Sequence, residues 1–271
     1  MKFDNPQVNH DVNVSAEHPL KEFVQLLAGL LVVGIVMLAV IHFAAGYFAS
    51  KIPFRYEIAM VSHIDALRPT PSAQRETLQA LADRISARMD LPPEMTITVH
   101  YSDEEIVNAF ATLGGHVFFY KGLISKLESE DALAMVMAHE IAHVKHRHPI
   151  VSMGKGLTIL ALMGSIVGSS GSAAGETLLG TTIQVGLLKF SRDQERESDL
   201  TASAAINASY GHILGAKALF DLFDKVSAGQ RPPELLSSHP HSTDRWESLR
   251  AIAPDFGWQT NGDLTPLVFA F

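Results

Sequence analysis

The chain contains one long uncharged stretch, followed by shorter segments whose apolar residues recur at regular intervals. From Phe23 to Ala49 there is no Asp, Glu, Lys or Arg, only His42. That is longer than the roughly 20 residues a helix needs to cross a hydrocarbon core, and it predicts a transmembrane helix over 23–49. Residues 1–22 are polar, with neither a basic leader nor a small-residue cleavage site, and read as a tail. Pro53 and Pro69-Thr70-Pro71 punctuate a linker over 50–71. Leu78, Leu81, Ile85 and Met89 then recur at helical spacing behind Ser72, a good N-cap. Thr96–Tyr101, Ile106–Leu113 and His116–Lys121 are rich in Ile, Val, Phe and Tyr and are divided by Ser102-Asp103 and Gly114-Gly115. They predict three short strands in a small antiparallel sheet. Ser129 or Glu130 opens a periodic helix through Leu133, Val136, Met137, Ile141 and Val144, which stops before Pro149. Residues 155–189 are apolar but broken by glycine and serine into halves of less than comfortable spanning length. They read as a helical hairpin lying on the membrane or over a cleft, or as two short spanning helices. A last long helix, Asp193–Val226 with a break at Gly211, leads into a loop carrying His239-Pro240-His241. The pattern predicts a mainly helical α+β domain over 72–252 with a small sheet, an N-terminal membrane helix and a C-terminal tail over 253–271.

Composition narrows the chemistry. The 271 residues, 47% of them apolar, can bury one good-sized core and still supply the membrane segment. The formal charge of -8 comes without long acidic runs, and no Lys/Arg cluster is dense enough for a nucleic-acid groove. Lys2 and Lys21 on one flank of the apolar run balance Lys51 and Arg55 on the other, so charge does not orient it. With no cysteine, any transition metal must be held by histidine and carboxylate. Of thirteen histidines, four crowd into His139–His148, where the chemistry should be sought.

His139-Glu140-Ile141-Ala142-His143 is an H-E-x-x-H motif. Residues four apart on a helix share a face, so both imidazoles can reach one ion, while Glu140 lies to the side and can serve a water instead. Small Ala138 and Ala142 leave room for an ion and a substrate. A catalytic zinc needs a third ligand from another element. The run Ser191–Asp199 starts a helix with Glu195 and Asp199 four apart, which offers a ligand with a carboxylate behind it. An ordinary acidic helix start is the other reading of that run. Glu197 is turned about 200° from Glu195 and cannot face the same way. His146 and His148 read as caps on the end of the motif helix, touching its last carbonyls.

Taken together, His139–His143, Ser191–Asp199 and His239-Pro240 with Arg245 resemble the HtpX, CAAX-prenyl-protease and mitochondrial Oma-type family of zinc metallopeptidases. Asn108-Ala109-Phe110 and Gly114-Gly115 add to the likeness, which covers roughly residues 72–252. The resemblance implies one zinc ion per chain on His139, His143 and Glu195, with Glu140 as catalytic acid/base. It puts Asp199 and Arg245 behind the ligands, and His239 near the zinc, where it would either donate to an oxyanion or fill the open position at rest. If the strand carrying His116, Val117, Phe118 and Phe119 edges the cleft, it would bind an extended substrate by adding a strand to the sheet. The expected protein is a single-pass metalloendopeptidase of the inner membrane, its catalytic domain periplasmic. It would act in quality control on unfolded or membrane-associated proteins, with the bilayer as partner and no role for nucleic acid. The rival is a zinc-stabilised, chaperone-like binder of unfolded clients, to which Glu140 would be useless.

Overall fold

The computed structural model describes residues 19–64, 67–156, 190–227, 235, 239 and 244–271. The apolar hairpin expected at 155–189 lies outside the described residues from 157 on, as do Pro240 and His241 of the His-Pro loop. Two compact units are present, Met1–Ala44 and Ala45–Phe271. Helix α1, Pro19–Lys51, begins in the first and ends in the second. At 1.5 Å per residue its 33 residues extend for about 50 Å, ample for a hydrocarbon core of about 30 Å. Leu26, Leu30, Ile35 and Phe43 are all exposed, so apolar side chains point outward around this helix. By length and composition it can cross a membrane.

The second unit is built around helix α5, Glu130–Lys145, capped by Ser129, whose Oγ accepts from the Ala132 N–H at 3.2 Å. The sequence pattern suggested an apolar stripe, yet every residue from Asp131 to Val144 is buried. The reason is enclosure: α3 (Ala73–Ser86), α6 (Arg192–Tyr210), α7 (Leu214–Ser227) and one strand all pack on it. Ala134, Ala138 and Ala142 recur every fourth residue and let neighbours approach closely. Ser191 opens α6 with a capping box, its Oγ taking the Gln194 N–H while Gln194 Oε1 takes the Ser191 N–H. The expected break falls at Gly211, left-handed at φ 81, and α7 starts at Leu214.

The sheet corrects the expected topology. Its strands are β1 (Thr98–Ser102), β2 (Ala109–Ala111) and β3 (His116–Tyr120), in the order β1-β3-β2. β2 and β3 form an antiparallel hairpin, but β1 runs parallel to β3, with Thr98 opposite His116. The sheet is therefore mixed, because the chain leaves β1, crosses over and returns on the far side of β3. Gly115 has φ +80, and a Cβ there would sit 2.1 Å from the Thr96 carbonyl oxygen, so only glycine fits the hairpin turn. β3 is central, both sides of its backbone paired, so it is not the edge on which the expected strand addition at His116, Val117, Phe118 and Phe119 depended.

Two segments expected to be peripheral are packed. The 50–71 linker contains α2 (Phe54–Val61), with Phe54, Glu57 and Val61 buried. Glu57 accepts from Arg147 Nε at 2.8 Å and from the Gly114 N–H at 3.2 Å, and burial lifts its pKa against the pull of Arg147. In the 253–271 tail, which follows α8 (Arg245–Phe256), Leu267 and Phe269 pack on the core. The Thr265 carbonyl takes the Glu130 N–H, and Asp131 Oδ2 takes the Thr265 N–H, both at 2.8 Å. Neither attachment has a periodic signature in the sequence.

On one face of the sheet His100 stacks on Phe118 with ring centroids 4.3 Å apart, and its Nε2 lies 2.9 Å from His116 Nδ1. Burial, helped by the charges of His116 and Arg75, pushes His100 down to about 4, and burial also lowers His116. Unfolded histidine titrates near 6.5, so between pH 6.5 and 4 the unfolded chain binds protons that the folded one refuses. Stability should therefore decline as pH falls through that window and be flat with respect to this group above it. Melting of the full chain in detergent at pH 7 and pH 5 measures the slope. His100→Phe should flatten it, and an unchanged acid slope would clear His100 of the effect.

Candidate metal centre

Four elements deliver the site. One turn of α5 presents His139 and His143 on the face turned to α6, whose first turns present Glu195 and Asp199, again one turn apart. Helix α8 begins at Arg245, and His239 enters from the segment before it, its N–H bonded to the Leu235 carbonyl at 2.9 Å. All four of His139, His143, Glu195 and His239 are buried, and one ligand atom from each lies within 4.8 Å of the others.

The imidazoles point inward. His139 Nε2 is 3.0 Å from His143 Nε2 and 3.3 Å from His239 Nδ1. Glu195 Oε1 lies 2.9 Å from His239 Nδ1 and 3.4 Å from His143 Nε2, while its Oε2 is 3.4 Å from His139 Nε2. Ligand atoms about 2.0–2.1 Å from a tetrahedral zinc stand roughly 3.3 Å apart, which matches this spacing. Glu195 Oε2 has no hydrogen-bond partner despite full burial. Proton sharing also serves the cluster badly. Burial depresses His143 far below its usual value, while His139, equally buried, is driven up to about 10 by Asp199 and Glu195. Burial opposes ionisation of Glu195, yet the surrounding histidines hold it well below the carboxylate range. Three imidazoles and one carboxylate around a single point suit a cation better than a proton, and the donor set fits one zinc ion.

Behind the cluster, Asp199 Oδ1 lies 3.0 Å from His139 Nδ1. Arg245 grips the same carboxylate with two bonds, Nε to Oδ2 at 2.8 Å and Nη2 to Oδ1 at 2.6 Å. Burial disfavours the Asp199 charge, but the guanidinium prevails and the pKa is lowered. Glu140, 1% exposed, has neither carboxylate oxygen hydrogen-bonded, and its Oε1 is 3.4 Å from His239 Nε2. A cavity of about 10 Å³ lies between Glu140, His139, His239 and Arg245, room for about one water.

Two residues behave differently from the sequence reading. The motif helix is closed by the backbone N–H of His146 on the Ala142 carbonyl at 2.9 Å, not by histidine side chains. Instead His148 Nδ1 sits 2.9 Å from His143 Nδ1, and His148 Nε2 sits 3.1 Å from Glu197 Oε2. Burial brings His148 down to about 4, with Glu197 pulling the other way. The signal in the sequence was the pairing of an extra acid on α6 with extra histidines after the motif. Phe190, also unremarked in the sequence, stacks on His143 with centroids 3.9 Å apart. His116–Phe119 contribute nothing to the cluster.

Residues 72–253, well over half of the chain, match the model of peptidase family M48. The beta-barrel assembly-enhancing protease of Escherichia coli K12 is 33% identical over 53% of this chain and 32% of its own length. A counterpart from Vibrio cholerae is 37% identical over 55% of this chain and 33% of its own length. The mitochondrial metalloendopeptidase OMA1 of Schizosaccharomyces pombe is 27% identical over 63% and 50% respectively. This chain thus spans about a third of the length of the two bacterial relatives. The motifs, the buried donor set and the match agree: the chain belongs to peptidase family M48, whose members are zinc metallopeptidases.

Proposed function

We propose that this chain is a membrane-anchored zinc metalloendopeptidase that cuts unfolded or membrane-associated proteins and rests in a closed state. The observation that carries the reading is Glu140, a buried carboxylate with no hydrogen bond on either oxygen, beside a four-donor cluster. A structural metal site has no use for such a group. His139, His143 and Glu195 are the proposed ligands. Zinc, when bound, supplies a Lewis acid that polarises the scissile carbonyl and makes water acidic enough to attack near neutral pH. Glu140 accepts the proton of the attacking water and delivers it to the leaving amine. Asp199, fixed by Arg245, holds the His139 ring with its Nε2 free to ligate.

His239 occupies the corner that a substrate carbonyl would need, since its Nδ1 approaches Glu195 and His139 as closely as the ligands approach one another. With room for only about one water beside it, a peptide enters when this loop residue withdraws. An extended peptide would pair with the outer edge of β2, which lies against α5 and, among the described residues, has no strand paired on that side. Asn108, buried next to it with no partner for Oδ1, supports that edge over β3. Strand addition reads backbone more than side chains, which suits unfolded substrates. The anchor is α1, and relatives named for beta-barrel assembly favour an inner membrane with the domain on its periplasmic side.

Purified full chain in detergent should hydrolyse casein and hold one zinc ion. Glu140→Gln should abolish turnover with zinc retained, whereas Glu195→Ala should lose both. Undiminished cleavage by Glu140→Gln ends the proposed mechanism.

His239→Ala is expected to keep zinc and to cut casein faster than wild type. A fall in turnover on the order of 10² with zinc still bound would instead make His239 an oxyanion donor.

Fractionation should recover the full chain with membranes, and a C-terminal tag in spheroplasts should be open to external protease. A protected tag would move the domain to the cytoplasmic side.

A further inference from the structure

The two histidines of the motif helix are buttressed in different ways, and one of the two supports has no role in the reaction as described above. His139 meets the Asp199 carboxylate directly through Nδ1. His143 meets a second imidazole, with 2.9 Å between its Nδ1 and that of His148. His148 is itself buried, and its Nε2 reaches Glu197 Oε2 at 3.1 Å. The other oxygen of Glu197 lies 3.2 Å from His146 Nδ1, and His146 Nε2 is 2.7 Å from Thr201 Oγ1. Glu197 is thus held by two histidines although its side chain is about half exposed.

The proton positions along this line follow from one premise. A histidine that ligates through Nε2 carries its proton on Nδ1. If His143 Nε2 faces the metal, His143 Nδ1–H must donate, and among the described residues the acceptor at bonding distance is His148 Nδ1. That nitrogen must then be bare, so the proton of neutral His148 lies on Nε2, where Glu197 Oε2 accepts it. The Ser198 hydroxyl approaches His148 Nδ1 only to 3.4 Å and competes weakly. Reversing either ring breaks a contact: a proton on both Nδ1 atoms sets two donors against each other at 2.9 Å, and none on Nε2 leaves the carboxylate facing a lone pair.

We propose that Glu197 and His148 form a relay that fixes the tautomer and ring orientation of His143, so that a half-exposed carboxylate outside the cluster sets the strength of zinc binding. The proposal rests on His143 being a ligand, and both members of the relay are positioning residues. It differs from the Asp199–Arg245 support, in which both side chains are buried, whereas Glu197 is about half exposed.

Zinc affinity of the full chain in detergent, measured by competition with a chelator, tests it. His148→Phe keeps a ring of similar size but has no acceptor, and should weaken zinc about 10- to 100-fold. His148→Gln, whose amide oxygen can take the His143 proton, should recover most of that loss. Glu197→Ala, at the exposed end, should weaken zinc by up to about tenfold and decides the matter if His148→Phe does not fold. The melting temperature of metal-free protein should be the same in wild type and Glu197→Ala, which a purely structural role would not give. Imidazole ¹⁵N spectra of the metal-free protein should show His143 as the Nδ1–H tautomer in the wild type and as a mixture in His148→Phe. Wild-type affinity in His148→Phe, or in Glu197→Ala where that variant decides, or a Gln variant no better than Phe, overturns the relay. His143→Ala is the control: if it loses zinc while His148→Phe does not, the relay alone falls, and if it keeps zinc, the ligand assignment falls with it.

Discussion

Burying two carboxylates four residues apart on one helix is the constraint around which the second unit is organised. Glu195 and Asp199 both lie in the core, and a charge taken out of water costs several kcal/mol unless partners replace the lost hydration. The partners come from three directions. Arg245 at the start of α8 neutralises Asp199, the histidines of α5 face Glu195, and His239 closes the remaining side. Each partner is on a different element, so the requirement to pair these two charges fixes how α5, α6 and α8 meet. Arg245 itself lies over the Phe220 ring at 4.6 Å, which ties α7 into the same arrangement.

Enclosure of α5 follows from that arrangement. A helix that carries ligands on one face and must be supported on the others has no solvent side, and its alanines are what allow four neighbours to come close. The second histidine of the motif lies at the deep end of this helix, fully buried and stacked on Phe190, so its outer nitrogen can be reached only by another side chain. His148 supplies it from the turn that follows. A buried carboxylate held by Arg245 behind one and a line of side chains ending at half-exposed Glu197 behind the other give the two histidines of the motif different surroundings.

Much of this was legible in local pattern. The i, i+4 spacing of His139 and His143, the pair Glu195 and Asp199, the Ser191 cap and the break at Gly211 are all written within a few residues of chain, and each predicts its own geometry. What was not legible depends on long-range pairing. Nothing within Thr98–Ser102 says that its neighbour will be β3 in parallel and not β2, because that choice is made by a crossover, and it moves β3 from the edge to the centre. The packing of α2 through Glu57 and Arg147 joins residues that are far apart in the chain, as does the docking of Thr265 on α5. His146 and His148 were visible, but their partner Glu197 was read as turned away from the site. It is turned away from the donors, and its place behind them comes from the way α6 crosses α5.

The attachment of the C-terminal segment to α5 has a consequence in time. The first N–H groups of a helix need acceptors, and here the Glu130 N–H donates to the Thr265 carbonyl, while Ser129 forms an isolated antiparallel bridge with Pro266. At a synthesis rate of roughly 5–20 residues per second, Thr265 emerges on the order of ten seconds after the motif helix. Until then, the helix that bears the two histidines, although capped by Ser129, lacks both the acceptor for its Glu130 N–H and the cover of Leu267 and Phe269. A nascent chain therefore completes its reactive core only once the segment around Thr265 has been made, and a chain interrupted before that point leaves α5 without its final support.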